Sequence, residues 1–301
     1  MGVIGYNIMG KPMGKPPKRR KVIYGQNFLI NEAVARNIVD SCGFSINDNV
    51  LEIGPGEGIL TGLIVGNTKT YTMLEIDPFY YSFIKGKFNL NKFGGINVLN
   101  MDALKFDYIG LSRSLSSRIR VVSNLPYEIS GPVMEKFIKE KDAFSDLTLM
   151  FQKEFARRLY AKENDRERGA LSVIADINFE IIELLEASKS DFNPVPKVDS
   201  TVLKIIPKYH ADDNYLWAVN SSFFNYFVRQ IFKLRRKKLK NSIYASFFGI
   251  PSDIKEKVFA EVNIDLDKRP QELTTTEFVK AAKKYDDYLK TAEKRYNKRR
   301  L

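Results

Sequence analysis

NVLEIGPGEGIL, residues 49–60, decides how the chain folds. A short apolar run leads straight into Gly54, Gly56 and Gly58, and a helical pattern follows. Glycine has no Cβ, so backbone there can approach a ligand closely, at the carboxyl edge where open parallel sheets bind nucleotides. The spacing is G-x-G-x-G, one residue short of the dinucleotide fingerprint G-x-G-x-x-G. Further apolar runs extend outward from it: TMLEI from 72, INVLN from 96, IRVVSN from 119, LTLMFQ from 147, LSVIADINFEI from 171 and TVLKIIP from 201. Their alternation with helical stretches predicts a parallel sheet covered on both faces. The last two runs lie close together in sequence and need not be parallel. After Pro207 the pattern becomes helical, which places a domain boundary near residue 208.

Composition narrows the partners. The formal charge is +12 with a pI near 9.5. Such an excess favours polyanions through counterion release, with nucleic acid ahead of an anionic membrane surface. A single cysteine, Cys42, excludes an internal disulfide, and a single histidine, His210, leaves no His/Cys set for zinc, so no metal is expected. No apolar run reaches the roughly 18 residues of a spanning helix, and MGVIGYNIMG lacks the basic start of a signal peptide. Tyr6 stands where myristoylation requires Ser or Thr. The expectation is a cytoplasmic protein. KPMGKPPKRRK, residues 11–21, holds three prolines and six basic residues and reads as an extended arm: a solvated tail, an RNA contact or, as a minor third reading because it is Pro-rich rather than amphipathic and Ser-rich, an organellar targeting segment.

Two more strand ends carry carboxylates. Glu75 of LEID lies 21 residues beyond Gly54, where a carboxylate can accept both hydroxyls of a ribose. Asp102 of NMDAL can accept from an adenine amino group, and Glu52 precedes the glycines, near any cofactor that carries a positive sulfonium. Singly, these residues are equally well solvated strand ends. A fourth strand ends in Asn124-Leu125-Pro126-Tyr127. An adenine amino nitrogen is a poor nucleophile because its lone pair is delocalised into the ring. Acceptors on its hydrogens, the Asn124 side-chain oxygen and the Leu125 carbonyl, would draw it toward a tetrahedral geometry. Pro126 biases Leu125 away from helix, and Tyr127 offers a face on which an unstacked base can lie.

With GQNFLI at 25, EIGPGEG at 52, LEID at 74, MDAL at 101, SNLPYEIS at 123, FQKEFARRL at 151, FNPVPKVDSTV at 192, RQIFKLRRKKLKNSI at 229 and RPQEL at 269, the chain resembles a known family from about Tyr24 to Leu273. That family is the S-adenosyl-L-methionine-dependent ribosomal RNA adenine N6-dimethyltransferases of the KsgA type, relatives of the Erm methyltransferases. The resemblance implies a Rossmann-like class I methyltransferase sheet over 22–207, after the arm at 1–21, and a small all-α RNA-binding domain over 208–301. It implies dimethylation of two adjacent adenosines near the 3′ end of small-subunit ribosomal RNA, by a monomer acting on a pre-30S-type particle with RNA held between the domains. Carried over by position, Asn27 and Leu29 would touch the cofactor, Gly54 would lie along its methionine portion, Glu75 would take the ribose and Asp102 the adenine. Asn124 would stand between cofactor and target base, and Phe192 would close on the base opposite Tyr127. Two positions depart from the pattern: Glu128 replaces a usual amide, and Ala170 a usual arginine.

In the C-terminal part Arg229, Lys233, Arg236, Lys237 and Lys240 share a helical phase, with Val228, Ile231, Phe232, Leu239 and Ile243 on another face. This face is expected to track phosphates. The alternatives to a small-subunit enzyme are an Erm-like enzyme acting on large-subunit RNA, a non-catalytic RNA-binding or ribosome-assembly factor, and a nicotinamide oxidoreductase.

Overall fold

The computed structural model describes residues 26–88, 94–246 and 252–298, so the arm at 1–21 lies outside the described residues. The strands are β1 (Phe28–Leu29), β2 (Asn49–Ile53), β3 (Thr70–Glu75), β4 (Ile96–Asn100), β5 (Ile119–Asn124), β6 (Phe144–Gln152), β7 (Phe179–Ala187), β8 (Phe192–Asn193) and β9 (Ser200–Pro207). Seven of them form one sheet in the order β4-β3-β2-β5-β6-β9-β7, and β1 pairs with β8. The pairs β4-β3, β3-β2, β2-β5 and β5-β6 are parallel, while β9 runs antiparallel to β6. This is the mostly parallel α/β sheet that the alternating pattern predicts, and it has the Rossmann-like character that the resemblance implies.

By contact the chain forms two compact units, residues 1–156 with 181–207 and residues 157–180 with 208–301. In the first, helices α1 (Glu32–Cys42), α2 (Thr61–Ile64), α3 (Pro78–Lys87), α4 (Tyr108–Ser114), α5 (Ser130–Lys139) and α6 (Lys153–Tyr160, which runs on into the second unit) follow the strands. Their ends are written in the sequence. Asn31 caps α1, accepting from the backbone of Ala33 and Val34, and Gly43 closes it at φ +59°. Asp77 caps α3 with Pro78 in its first turn, so LEIDP is both a strand end and a helix start. The central strands carry the core: Val121, Val122, Leu147, Leu149 and Ile205 are fully buried. Each such side chain contributes about 1.5–3 kcal/mol by leaving water.

The second unit holds α7 (Ala170–Asn178), α8 (Asp213–Asn220), α9 (Ser222–Phe232), α10 (Leu239–Ser246), α11 (Ser252–Glu261) and α12 (Thr275–Lys298). Phe224, Phe227, Ile231, Phe259 and Phe278 form its core. One strand expectation is corrected here. LSVIADINFEI is mostly helix, and the strand begins only at Phe179. A continuous apolar run does not reveal its period, and here Gly169 starts a helix by donating its N–H to Ser172 Oγ at 2.9 Å. Arg168, just before it, is fully buried and donates to the Ala161 carbonyl and to Thr275 Oγ1, both at 3.1 Å. Thr275 in turn donates to Asp176 at 2.6 Å, so this network ties α7 to the start of α12.

Candidate active site

The parallel register brings four strand ends level. Ile53 pairs with Leu74, Glu75 with Asn100 and Glu52 with Val122, so the chain emerges along one edge at Gly54, Glu75, Asp102 and Asn124. These four line one cavity of about 870 Å³, part of it open to solvent, together with Asn27, Leu125, Pro126 and Tyr127. Eight residues expected from sequence to form a site are thus brought together.

Gly54 adopts φ +65°, and a Cβ built on it would meet no atom within 4 Å, so its backbone presents open space. Gly56 serves another purpose: its Cβ would come within 2.8 Å of the Phe28 ring. Glu75 is buried, and its carboxylate accepts from the Gly56 N–H at 3.1 Å and the Asp77 N–H at 2.9 Å. It thereby fixes the glycine turn against the start of α3. Burial pushes the Glu75 carboxyl above its ordinary range, opposed by these backbone bonds. Each oxygen keeps a lone pair for a ligand hydroxyl. Asp102 takes the Leu104 N–H at 2.9 Å on one oxygen, an Asx turn that holds the side chain at the rim.

At the end of β5, Asn124 Nδ2 donates to the Asn27 carbonyl at 3.1 Å. That bond orients the amide, and Oδ1 has no partner among the described residues. Pro126 sits at φ −56°, ψ 129°, an extended conformation that starts the short turn Tyr127–Ile129. Tyr127 is half-buried, and its hydroxyl shares a 2.8 Å hydrogen bond with Ser200 Oγ. Burial raises its pKa, so the phenol stays protonated and the ring stays anchored. Glu128 is exposed and lines the cavity mouth.

Leu29 and Phe192 stand elsewhere. They pair across β1 and β8, are 3% and 1% exposed, and belong to the core cluster, so neither lines the main cavity. Phe192, expected to close on a base opposite Tyr127, has its ring enclosed by core. Leu29 instead lines a smaller adjoining cavity with Glu52, Gly54 and Asn124. The β1–β8 pair is reinforced by Ile30 N–H and Asn31 Nδ2, both donating to Asp191 at 2.8 Å. It holds the QNFL segment at the cavity.

Sequence reasoning missed Phe28, Ile76 and Met101, which also line the cavity. Ile76 and Met101 are 40% and 41% exposed. Each directly follows the last residue of a strand, where a turn ordinarily carries a polar residue. An apolar residue at that point was the available signal.

The basic stretch differs from the single helix that its phase suggests. α9 ends at Phe232 and α10 starts at Leu239, with a turn between them. Six cations fall within Lys233–Lys240, and like charges at helical spacing repel. The backbone of Leu239 and Lys240 donates instead to the carbonyls of Lys268 and Leu266, at 2.7 and 3.1 Å. The apolar residues Val228, Ile231, Phe232, Leu239 and Ile243 are buried all the same, while Arg229, Lys233, Arg236, Lys237 and Lys240 are exposed. Lys240 pairs with Asp267 at 2.9 Å.

Among the described residues no helix is long and apolar enough to cross a membrane. Comparison with known proteins now bears directly on this site. The family described as ribosomal RNA adenine dimethylase matches residues 18–287. A curated ribosomal RNA small subunit methyltransferase A of Borreliella burgdorferi is 33% identical over 276 residues, covering 90% of this chain and 92% of that protein. Its counterpart in Francisella tularensis is 34% identical over 266 residues, covering 88% and 97%. Among solved structures, a dimethyladenosine transferase from Plasmodium falciparum superposes with a TM-score of 0.71 at 24% identity, covering 86% of this chain and 98% of that one. The 23S rRNA methyltransferase ErmE gives 0.63 at 21%, covering 86% and 100%. The two structural likenesses establish the fold. The family match and the curated relatives go further, since they span nearly the whole chain and include every strand end that lines the cavity: the chain belongs to the ribosomal RNA adenine dimethylase family.

Proposed function

We propose that this ribosomal RNA adenine dimethylase uses S-adenosyl-L-methionine to place two methyl groups on N6 of each of two adjacent adenosines near the 3′ end of small-subunit ribosomal RNA. The observation that carries the site assignment is the convergence of Gly54, Glu75, Asp102 and Asn124 on one cavity. The small-subunit target is supported by the names of the curated relatives and by their coverage.

The residues suit the cofactor. The open backbone of Gly54 leaves room for the methionine portion, and the Glu75 carboxylate can accept ribose hydroxyls. Asp102 can accept from the adenine amino group, between apolar walls supplied by Ile76 and Met101. When bound, the cofactor supplies an electrophilic methyl on a positive sulfur. The remaining work belongs to the chain. Asn124 Oδ1 and the Leu125 carbonyl accept from the target amino group and favour a lone pair on N6. Tyr127, anchored on Ser200, gives the extruded base a stacking face worth about 1–3 kcal/mol. That offsets part of the few kcal/mol, roughly, needed to unstack a base. Holding nitrogen and methyl carbon in line can contribute about 7–11 kcal/mol. No covalent intermediate on the enzyme is required.

Phosphate contacts are assigned to Arg229, Lys233, Arg236, Lys237 and Lys240, exposed in the helical unit that follows residue 207. We further assign a monomer acting in the cytoplasm on a pre-30S-type particle. The test is a methylation map. Ribosomes from a deletion strain, incubated with the chain and labelled cofactor, should gain dimethyladenosine at one adjacent pair in small-subunit RNA. Label in large-subunit RNA instead would overturn the target. Asn124→Ala should lower the methylation rate by at least about a hundredfold, by analogy with loss of one polar group at a reacting centre, while cofactor affinity measured by calorimetry changes little.

A further inference from the structure

We propose that α3 carries a second contact for the RNA outside the main cavity, a surface on which unpaired bases flanking the target stack against Phe79 and Phe83 while Lys85 and Lys87 meet the adjoining phosphates. The proposal rests on the RNA-substrate reading above and adds to it a binding surface that the cavity does not contain.

The helix reads PFYYSFIKGK, with four aromatic rings, two lysines and no acidic residue between Pro78 and Lys87. Ile84 is fully buried and fixes the helix to the core. Tyr80 also has a structural task. Its ring meets Phe28 at 4.9 Å between centroids, and Phe28 lines the main cavity, so Tyr80 steadies the cavity wall. Phe79 stands apart from both tasks. Its ring meets Tyr80 edge-on at 5.1 Å and lies almost parallel to Phe83, 6.4 Å away at 16°, yet Phe79 is 41% exposed. Exposed aromatic surface gathered in one place marks an interaction site, where a lone exposed leucine would not.

Gly86 is an independent observation on the same surface. It follows Phe83 by three residues, on the same side of the helix, and a Cβ built on it would meet no described atom within 4 Å. Its backbone is helical, so neither packing nor chain geometry asks for glycine, which weakens a helix relative to alanine. The missing side chain leaves the stripe Phe79-Phe83-Gly86 flat, the shape that a planar base requires.

The cations select the occupant. Lys85 is exposed, and its ammonium lies over the Tyr81 ring at 5.1 Å and donates to the Tyr81 hydroxyl at 3.2 Å. The Lys87 ammonium lies over the Phe83 ring at 5.6 Å and donates to the Glu57 carbonyl at 2.6 Å. Each ammonium carries three N–H donors, so a phosphate can join without displacing these contacts. An apolar protein face would have to desolvate the lysines beside the rings, at a cost. A single strand instead offers planar faces to the rings and phosphates to the lysines. The net charge of +12 suits the same partner. Paired RNA keeps its bases stacked inside the helix, so the surface selects unpaired nucleotides. The rings run from Phe28 through Tyr80 to Phe79, so a strand with its target base in the cavity reaches them within a few nucleotides.

The test is binding of the full chain to two labelled RNAs, the 3′ segment of small-subunit RNA that holds the adenosine pair, with and without about ten unpaired flanking nucleotides, a length within the site sizes of single-strand binders. Phe79→Ala should weaken binding of the longer RNA about tenfold, as expected for loss of one stacked base, and leave the shorter RNA and the cofactor affinity unchanged. Phe79→Trp should keep the affinity, whereas Phe79→Leu, apolar but without a π face, should lose it. Lys85→Gln should lower the salt dependence of longer-RNA binding by about one phosphate contact. Gly86→Glu, where a side chain has room, should weaken the longer RNA alone, and it decides the matter if Phe79→Ala fails to fold. Unchanged affinity in Phe79→Ala or Gly86→Glu, an equal loss on both RNAs, full retention in Phe79→Leu or an unchanged salt slope in Lys85→Gln overturns the surface. Unchanged RNA affinity with weaker binding to immature small subunits assigns it to a protein partner and overturns it as well. Failure of the unaltered chain to bind either RNA overturns the RNA reading itself.

Discussion

Arg120 and Asn124 lie four residues apart on β5, and the two ends of that strand are treated in opposite ways. At one end the Arg120 guanidinium donates to Asp48 at 2.9 Å, Asp146 at 3.0 Å and the carbonyls of Cys42 and Gly43 at 2.5 and 3.1 Å. Its side chain is only 13% exposed, and it joins the end of α1 to β5 and β6. At the other end Asn124 makes one hydrogen bond among the described residues, Asp102 accepts one backbone N–H, and Glu75 accepts two. The donors of Arg120 are spent on holding the sheet, although Asp146 Oδ1 stays without a partner among the described residues, while the acceptors at the other end keep capacity for the ligand proposed there. Buried donors and acceptors are normally satisfied, so a cluster with capacity left over marks the end of the sheet where chemistry occurs.

The contrast is broken most directly from its structural end. Arg120→Ala should destabilise the fold by about 3–5 kcal/mol, because it strips Asp146 and Asp48 of their cation at a largely buried site. Urea unfolding would show this as a lower midpoint, with the methylation rate per folded molecule unchanged. A similar loss of stability from Asn124→Ala would remove the distinction between the two ends.

Glu75→Ala sharpens the comparison from the ligand end. It deletes the acceptor proposed for ribose hydroxyls and also frees the Gly56 N–H, so cofactor binding should weaken by about 1.5–3 kcal/mol, the range for hydrogen bonds to a charged group. Calorimetric affinity is the measurement, and thermal stability without ligand should change less than in Arg120→Ala. Asp102→Asn is milder. The amide can still accept from Leu104, so the expected loss is about 1 kcal/mol in cofactor affinity, with discrimination against an inosine analogue falling in parallel.

How much of this was legible in sequence depended on which interactions are local. The glycine turn, the carboxylates at strand ends and NLPY can be read because a parallel strand followed by a helix delivers its last residues to one edge, whatever the rest of the chain does. Asp77 and Pro78 could be read as a helix start for the same reason. Phe192 could not be placed so, because its burial comes from pairing with Leu29, distant in sequence. The helix inside LSVIADINFEI was hidden by an apolar run without a period. The break between α9 and α10 depends on carbonyls of Leu266 and Lys268, again remote along the chain. Arg120 drew no notice at all, since nothing near it in sequence announces Asp48 or Asp146.

The smallest expected effect carries the comparison into pH. Asp48 is partly buried, which alone would raise its pKa, but the Ser45 N–H and Arg120 outweigh burial and hold it below the ordinary range. Its folded value lies below its unfolded one, so it stabilises the fold above the unfolded carboxylate pKa, and that contribution is lost as pH falls through the folded value. Glu75 has the opposite sign. Burial raises it above its unfolded value, so its stabilising form is the protonated one, and that contribution is lost as pH rises through the folded value. Mild acidification from neutrality should therefore leave the fold slightly more stable while cofactor binding weakens, and only stronger acid should reverse the gain. Thermal unfolding across this range, with and without S-adenosyl-L-methionine, checks both signs. In Glu75→Gln the stability gain should shrink, while in Asp48→Asn the loss in strong acid should shrink instead, so each end of the sheet can be titrated apart from the other.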